Sequence, residues 1–293
     1  RSTRPSSSPR WARKLRPESH SDFDVTMAQL IAQSGLTPLE ARMLLERTLG
    51  KTRAWLIAHA DEAAGTEAEQ AFAVLAARRR DGEPIAYILG EREFYGLELR
   101  VTPAVLIPRP ETELLLELAL ARIPEHAAAR VLDLGTGSGA IAVALAKERP
   151  QARLTAVDVD YAALSVARAN AKRHSVSVRF FCGDWFGALP GEIFDLIVSN
   201  PPYVAADDPH LELGDLRFEP RRALLGGADG LDCIRAIVAN AGVHLHSGAW
   251  LLFEHGYDQA GACRALLEAA GYRQVQTWPD LAGIPRVSGG TRG

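Results

Sequence analysis

The chain has 293 residues, of which 47% are hydrophobic and 24% are charged, and its formal net charge at pH 7 is −3. This charge argues against a protein that binds chiefly through nucleic-acid phosphates, and no apolar run approaches the roughly 20 residues of a membrane span. The length predicts two domains, or one large domain with an appendage.

Cysteine usage and the composition of the first residues indicate a cytoplasmic protein. Cys182, Cys233 and Cys263 lie far apart, without the spacing of a metal site. We therefore predict no metal centre and interpret the three cysteines as buried thiols in a reducing compartment. Residues 1–23 are rich in Ser, Pro and Arg and lack the apolar stretch of a secretory signal, so we predict a disordered extension there.

Residues 24–83 carry the pattern of a small helical bundle domain. Residues 37–40 form a capping box with proline at the first helical position, and Gly50 is suited to end that helix. A second capping box at residues 66–69 predicts a longer helix, and a short helix is expected around Trp55. Nothing in this region is typical of a catalytic site, so we interpret it as a partner-docking or stabilising domain.

Residues 84–108 are predicted to form a β-hairpin linker, because apolar residues alternate through 97–101 after a glycine. The segment 107–113 follows, with two prolines around an arginine and two acids at the start of an apolar helix. Glu111 and Glu113 suit the positive end of that helix dipole, and they equally suit a charged functional corner. The sequence leaves both interpretations open.

Residues 109–293 are predicted to form a catalytic domain in which strand and helix patterns alternate from residue 130. This alternation predicts an α/β fold with a mostly parallel sheet and helices on both faces. The predicted strands are 131–134, 154–158, 176–182, 194–199 and 250–254, with short closing strands at 274–278 and 286–288. The predicted helices are 114–121, 140–147, 161–173, 231–245 and 260–270.

Three successive strand ends carry residues suited to a cofactor that contains a nucleoside. The loop after the first strand consists of Gly135, Thr136, Gly137, Ser138 and Gly139. Its glycines allow close approach of the backbone, and it leads into a helix N-terminus. Asp158 ends the second strand, where it can accept from ribose hydroxyls, and Asp184 and Trp185 offer an acceptor and an aromatic face to adenine. The loop alone fits NAD as well as S-adenosylmethionine.

The fourth strand ends in a rigid turn rich in hydrogen-bond acceptors. Its residues are Asn200, Pro201, Pro202 and Tyr203. The prolines offer carbonyls but no N–H, and Asn200 is held extended because it precedes a proline. Such a turn fits an NH2 group of a planar substrate, with Asn200 and Pro201 accepting its two hydrogens and Tyr203 packed on its plane. Hydride transfer with NAD usually needs a group that titrates near neutrality, and this turn has none, so a methyl donor accounts better for both features.

The chain resembles the release factor glutamine methyltransferases, which methylate the glutamine of the Gly-Gly-Gln motif in class 1 peptide chain release factors. The matching stretches are 83–90, 93–96, 107–113 (Ile-Pro-Arg-Pro-Glu-Thr-Glu), the glycine loop, 184–186, 200–203, 217–220 (Arg-Phe-Glu-Pro) and 254–256. The resemblance implies a Rossmann-like class I methyltransferase sheet, S-adenosylmethionine as cofactor, and Phe94 and Arg109 as further substrate contacts. The start of the chain departs from the pattern, and residues 288–293 make a poor last strand.

Two alternatives remain open from the sequence. A nucleic-acid amino methyltransferase, acting on adenine N6 or guanine N2, uses the same acceptor turn on a flipped base. The lack of a basic stripe and the acidic Asp207 and Asp208 after the turn argue against it. A non-catalytic scaffold of methyltransferase type would be expected to lose cofactor or turn residues, and none is lost here. We expect a monomer that acts on a protein and binds neither nucleic acid nor a membrane directly.

Overall fold

The structure is a computed structural model that describes residues 25–293, so the extension predicted at residues 1–23 lies outside the described residues. The chain divides into two compact units, with the division after Asp81. In the part that is described, none of the helices is both long and apolar enough to cross a membrane.

Short helices build the first unit around the buried side chains of Leu44 and Leu45. The helices are α1 (Met27–Gln33), α2 (Pro38–Leu49), α3 (Arg53–Ala58) and α4 (Thr66–Arg80). The predicted start and end of α2 are confirmed. The Thr37 hydroxyl accepts from Glu40 N, and Gly50 ends the helix in the left-handed region at a φ of 62°.

The ends of the other helices differ from the prediction in two places. Gly65 occupies the N-cap of α4 and Thr66 is already helical, so the second predicted capping box does not form. Helix α1 is absent from the predicted elements, although Thr26 and Gln29 form a reciprocal capping box at its start. Its seven residues are too few for the apolar period to stand out.

The second unit begins with helix α5 (Ile85–Leu89) and a hairpin of β1 (Glu91–Phe94) and β2 (Leu97–Arg100). The predicted hairpin is confirmed, with Phe94 paired to Leu97 across a turn in which Tyr95 and Gly96 have φ of 50° and 72°. A two-stranded hairpin is stable only when its apolar face packs on other elements. Here Phe94 and Leu99 are buried in the core of the second unit.

A seven-stranded sheet forms the centre of this unit within the described residues. Its strands are β3 (Arg130–Leu134), β4 (Arg153–Asp158), β5 (Val178–Cys182), β6 (Phe194–Ser199), β7 (Leu245–Glu254), β8 (Arg273–Pro279) and β9 (Pro285–Thr291). The spatial order is β5-β4-β3-β6-β7-β9-β8, and all pairs from β5 to β7 are parallel. The predicted mostly parallel α/β sheet is therefore confirmed. Strands β4 and β5 lie on one side of β3, and β6 and β7 lie on the other, so the strand order reverses between β3 and β6. Such a switch point is where open α/β sheets bind ligands.

Helices cover both faces of the sheet because the strand residues alternate between two cores. The helices are α6 (Thr112–Leu120), α7 (Ala140–Glu148), α8 (Tyr161–Arg173), α9 (Asp232–Ala241) and α10 (Ala260–Ala269). Val131 and Leu252 belong to the core that contains α6 and α7, whereas Leu132 and Leu251 belong to the core that contains α9 and α10. Each fully buried aliphatic side chain of this kind stabilises the fold by about 1.5–3 kcal/mol.

The end of the chain corrects one prediction. Residues 288–291 are not a poor last strand: β9 runs to Thr291 and lies between β7 and β8, antiparallel to both. Its glycines are required by close packing, because a Cβ at Gly289 would lie 2.4 Å from the Leu251 carbonyl oxygen. Glycine, which disfavours strands elsewhere, is here the residue that allows the backbones to approach.

The cysteines correct another prediction. Only Cys263 is fully buried, while Cys233 is half-buried and Cys182 is exposed. Cys182 ends β5, which is the outermost strand on its side of the sheet and has a neighbour on one side only.

Candidate active site

A cavity of about 290 Å³ lies at the carboxyl ends of the parallel strands. The predicted site residues that line it are Arg109, Gly135, Thr136, Gly137, Ser138, Asp158, Asp184, Trp185, Asn200 and Pro202. Those outside its lining are Phe94, Gly139, Pro201 and Tyr203. The fold thus brings residues from the ends of four strands into one cavity.

The glycine loop turns from β3 into α7 in a conformation that favours glycine. Gly135, Gly137 and Gly139 have φ of 70°, 55° and 81°. A Cβ at Gly139 would lie 3.0 Å from the Cβ of Ala167, so Gly139 serves the packing of α7 on α8. A Cβ at Gly137 would meet nothing within 4 Å, and the backbone at Gly137 is accordingly open to a ligand.

A buried carboxyl holds this loop from inside the sheet. The Thr136 hydroxyl donates to Asp133 Oδ2 over 2.6 Å. Burial raises the pKa of Asp133 to about 7, and the hydrogen bond from Thr136 opposes that shift. Asp133 therefore acts on the loop that the sequence predicts for the cofactor, without itself reaching the cavity lining.

Asp158, at the end of β4, lines the cavity while it organises the loops around it. Gly137 N donates to Asp158 Oδ2 and Asp160 N donates to Asp158 Oδ1, each over 2.8 Å. Burial raises the pKa of Asp158, and these backbone donors oppose the shift. Each carboxylate oxygen has a further lone pair, so the group retains capacity for two hydroxyl donors. An open loop backbone, this carboxylate and the nearby indole fit an adenosine-containing cofactor.

Trp185 follows β5 in a left-handed backbone conformation, with a φ of 44°. Such a conformation is uncommon for a bulky residue and is held only where surrounding contacts enforce it. The indole lies over the glycine loop, where a Cβ at Gly135 would be 3.7 Å from Trp185 Cζ3. Asp184 is exposed on the rim, and its carbonyl accepts from Gly187 N over 2.9 Å to close the turn.

Asn200 is oriented by a hydrogen bond of the preceding residue and by one of its own side chain. The preceding Ser199 donates its hydroxyl to the Leu134 carbonyl over 2.8 Å, which ties β6 to β3 at the cavity edge. Asn200 Nδ2 donates to Thr112 Oγ1 over 3.0 Å. Among residues 25–293, no hydrogen bond occupies Asn200 Oδ1 or the Pro201 carbonyl. Asn200 Oδ1 is thus an acceptor available in the cavity, and the Pro201 carbonyl is an unpaired acceptor in the same turn, although Pro201 lies outside the cavity lining.

The acceptor turn is packed so closely on glycines that the carbonyls of Pro202 and Tyr203 are fixed. A Cβ at Gly226 would lie 2.7 Å from the Pro202 oxygen, and a Cβ at Gly230 would lie 2.3 Å from the Tyr203 oxygen. Gln259 Nε2 also donates to the Tyr203 carbonyl over 3.0 Å. These contacts make the turn a rigid element, which is the property that the two prolines predict.

Tyr203 directs its hydroxyl to a buried carboxylate. The hydroxyl donates to Glu254 Oε1 over 3.0 Å. Burial raises the pKa of the Tyr203 hydroxyl, and the negative charge of Glu254 raises it further. Tyr203 therefore remains protonated at neutral pH and does not serve as a base.

Arg109 lines the cavity and also pairs with a carboxylate from a distant segment. Its guanidinium binds Glu219, whose side chain is fully buried, and Ile107 N donates to the other Glu219 oxygen over 3.1 Å. Burial raises the pKa of Glu219, and the positive charge of Arg109 opposes that shift. The contact with substrate that the resemblance implies for Arg109 stays a prediction.

Glu111 and Glu113, whose roles the sequence left open, differ in their surroundings, and His255 is held by two hydrogen bonds. Glu113 Oε1 accepts from Tyr95 N over 3.0 Å and so joins α6 to the hairpin, whereas Glu111 is exposed. The two ring nitrogens of His255 lie 2.8 Å from the Gly256 carbonyl and 2.9 Å from Ser288 Oγ.

The prediction that Phe94 packs on the substrate is corrected by the structure. Phe94 is 1% exposed and belongs to the same core as Leu115 and Leu116 of α6. Its ring completes the apolar face of the hairpin and presents no surface to the cavity.

Sequence reasoning missed three residues that hold the site: Thr112, Glu219 and Glu254. All three lie in stretches that carry the family resemblance, so a signal was present. Their partners lie 51 to 110 positions away along the chain, and no local pattern links such residues.

Comparisons of sequence with known proteins agree on one family. The family described as "Methyltransferase small domain" matches residues 111–225, and that described as "PrmC N-terminal domain" matches residues 26–90. A release factor glutamine methyltransferase of Bordetella pertussis is 55% identical to this chain, and the match covers 90% of this chain and 98% of that protein. Another, from Burkholderia pseudomallei, is 54% identical, and the match covers 90% of this chain and 95% of that protein.

A solved structure shares the fold. The 16S rRNA N2 G1207 methyltransferase of T. thermophilus, in complex with AdoMet and guanosine, is 22% identical to this chain, with a TM-score of 0.52. The match covers 69% of this chain and 50% of that one. The second unit therefore has the Rossmann-like fold of the class I S-adenosylmethionine-dependent methyltransferases.

Proposed function

Since this chain belongs to the release factor glutamine methyltransferases, we propose that it methylates N5 of the glutamine in the Gly-Gly-Gln motif of class 1 release factors. The observation that carries the proposal is the rigid acceptor turn at residues 200–203. Asn200 lines the cavity and its Oδ1 has no hydrogen bond within the described residues. A side-chain amide has the NH2 group and the planar shape that this turn can hold.

The acceptor turn stabilises charge on the reacting nitrogen. S-adenosylmethionine, when bound, supplies an electrophilic methyl group, whereas an amide nitrogen is a weak nucleophile because its lone pair is delocalised. The nitrogen becomes positive as its bond to the methyl carbon forms and the bond from that carbon to the departing sulfur breaks, with the electron pair staying on sulfur. Asn200 Oδ1 and the Pro201 carbonyl, as fixed acceptors for its two hydrogens, stabilise that charge, and the proton leaves to solvent afterwards. Holding the nitrogen in line is worth about 7–11 kcal/mol in favourable cases.

The residues proposed to hold the cofactor are those that line the cavity on the other side of the turn. The open backbone at Gly137 lies next to the polar end of the cofactor, Asp158 accepts from its ribose hydroxyls, and Trp185 covers its adenine. Methylation of a nucleic-acid base is not favoured, because relatives that cover nearly the whole chain are named for a protein substrate.

Direct labelling tests the proposed function. The purified chain is incubated with methyl-labelled S-adenosylmethionine and a purified class 1 release factor, and the label is located by peptide mass. We expect one methyl group on the Gly-Gly-Gln glutamine, and none on a release factor in which that residue is asparagine. Label on added RNA or DNA, with none on the release factor, would overturn the proposal.

Asp158→Ala is expected to weaken the binding of S-adenosylmethionine by roughly 10-fold to 100-fold. A hydrogen bond to a charged acceptor contributes about 1.5–3 kcal/mol, and alanine removes every acceptor of this side chain. Calorimetric titration measures the dissociation constant. Asp158→Asn is the matched control, since it keeps one acceptor oxygen for Gly137 N or Asp160 N and should fall between wild type and alanine. An unchanged dissociation constant in Asp158→Ala would remove Asp158 from the cofactor site.

We further propose that the helical domain, residues 24–83, serves the protein substrate and not the cofactor, because every predicted cofactor residue lies beyond residue 130. A chain that lacks residues 1–81 is expected to keep its S-adenosylmethionine affinity within about 3-fold. Its affinity for the release factor should fall by at least about 10-fold. Both are measured on fragments whose circular dichroism shows a folded sheet domain. Loss of cofactor binding in a folded fragment, with release factor binding intact, would contradict this division.

A further inference from the structure

A buried carboxyl group lies behind the acceptor turn and is not used by the proposed chemistry. Glu254 ends β7 and is 1% exposed. Its Oε1 accepts from the Tyr203 hydroxyl over 3.0 Å, and its Oε2 has no hydrogen bond in the described part of the chain. Burial raises the pKa of Glu254, while the neighbouring Thr112 and Tyr203 hydroxyls, followed by the charge of Arg286, favour the ionised form.

Thr112 connects this carboxyl to the reacting centre. Thr112 is the first residue of α6, is 5% exposed, and accepts from Asn200 Nδ2 over 3.0 Å. A threonine hydroxyl has one hydrogen to donate and two lone pairs. When that hydrogen is directed to the Glu254 carboxylate, Thr112 can interact with Asn200 only as an acceptor.

The direction of these hydrogen bonds determines which end of the Asn200 carboxamide meets the substrate. The oxygen and nitrogen of a carboxamide have nearly the same shape, so packing alone does not distinguish the two orientations. An acceptor at Thr112 requires Asn200 to present its NH2 group there. Asn200 Oδ1 then points away from Thr112, which is the orientation that can accept a hydrogen from a substrate NH2.

We propose that Thr112 and Glu254 are positioning residues that fix the Asn200 carboxamide with its oxygen toward the substrate amide. The proposal rests on the proposed function, because it assigns the accepting role to Asn200. Glu254 acts through two side chains: it holds the Tyr203 hydroxyl directly, and its unpaired Oε2 takes the Thr112 hydrogen and so sets the direction of the hydrogen bond between Thr112 and Asn200. Neither residue contacts the reacting atoms, and each acts through another side chain.

Thr112→Val tests the proposal, because valine keeps the branched shape and removes the hydroxyl. We expect the single-turnover rate of methyl transfer to a release factor to fall about 10-fold to 100-fold, by analogy with the loss of residues that orient metal ligands through hydrogen bonds. The dissociation constant of S-adenosylmethionine should change less than about 2-fold. Thr112→Ser, which restores the hydroxyl on a smaller side chain, should recover the rate to within about 3-fold of wild type.

A double-mutant cycle distinguishes positioning from general packing. In an Asn200→Ala background, Thr112→Val should cause no further loss, because the carboxamide that it orients is gone. Glu254→Gln should lower the rate about as much as Thr112→Val does, since a glutamine NH2 can donate to Thr112 and so reverse the direction of the hydrogen bond between Thr112 and Asn200. The losses of rate from the two changes should not be additive in the double variant. Thermal unfolding of each variant identifies any that fails to fold, and the serine variant keeps the test valid in that case.

Three outcomes would overturn the proposal: a wild-type rate in Thr112→Val, equal losses in the valine and serine variants, or full additivity with Asn200→Ala. Failure of the proposed function has a different signature. In that case the wild-type chain itself transfers no methyl group to the release factor, whatever residue stands at position 112.

Discussion

Asn200→Ala is expected to lower the single-turnover rate of methyl transfer by about 10²-fold to 10³-fold, by analogy with removal of one fixed donor from an oxyanion hole. The change removes the one side-chain acceptor of the turn and leaves a substrate hydrogen unpaired in the transition state. Cofactor affinity should change much less, because the cofactor is proposed to bind chiefly through Asp158, Trp185 and the glycine loop. Rapid-quench transfer to a release factor and calorimetric titration give the two quantities.

Asn200→Asp tests whether the side chain at this position acts by accepting a hydrogen bond or is sensitive to an added negative charge. Aspartate keeps acceptor oxygens of nearly the same geometry but has no NH2 group for Thr112, so its orientation is less well fixed. We expect a rate between those of wild type and alanine. A rate near that of wild type in Asn200→Ala would exclude the acceptor turn from the mechanism, and with it the observation on which the proposed function rests.

Arg109→Ala is expected to reduce the free energy of unfolding by about 3–5 kcal/mol, because it leaves the fully buried Glu219 carboxylate without its charged partner. Arg222 provides a matched control. It also lines the cavity, but it pairs with Asp160 over 3.3 Å while its own side chain is 61% exposed. Exposed pairs of this kind contribute about 0–1 kcal/mol, so Arg222→Ala should change stability little. Urea unfolding followed by fluorescence measures both.

The stability loss in Arg109→Ala should also depend on pH. Burial raises the pKa of Glu219, and removal of Arg109 takes away the main opposing charge. The folded variant then binds a proton that the unfolded chain releases at lower pH, so its stability falls as pH rises through that range. The difference from wild type should be largest near pH 8 and smaller near pH 5. Arg109→Ala combined with Glu219→Gln should recover most of the loss, and equal instability of the double variant would show that the unpaired charge is not the cause.

The local elements of this protein follow from the sequence alone. Helix α2 begins at a threonine capping box and ends at Gly50, and the alternation of strands and helices from residue 130 predicts a parallel sheet. The acceptor turn and the glycine loop were likewise evident, because each depends on the backbone restrictions of proline and glycine within a few residues. Such features depend on residues that are neighbours along the chain, so local sequence patterns predict them directly.

The tertiary structure alone decided which distant residues meet. Thr112 contacts Asn200 across 88 positions, Tyr203 contacts Glu254 across 51, and Arg109 contacts Glu219 across 110. Phe94 could be assigned to the core only after the hairpin was seen to pack beside α6. The glycines at 289 and 290 disfavour a strand by local propensity, yet β9 fills the space between β7 and β8 because those glycines let the backbones approach. The sequence determined the chemistry of the acceptor turn, whereas strand order and packing determined which buried side chains orient it, because those contacts depend on where whole elements lie and not on their local patterns.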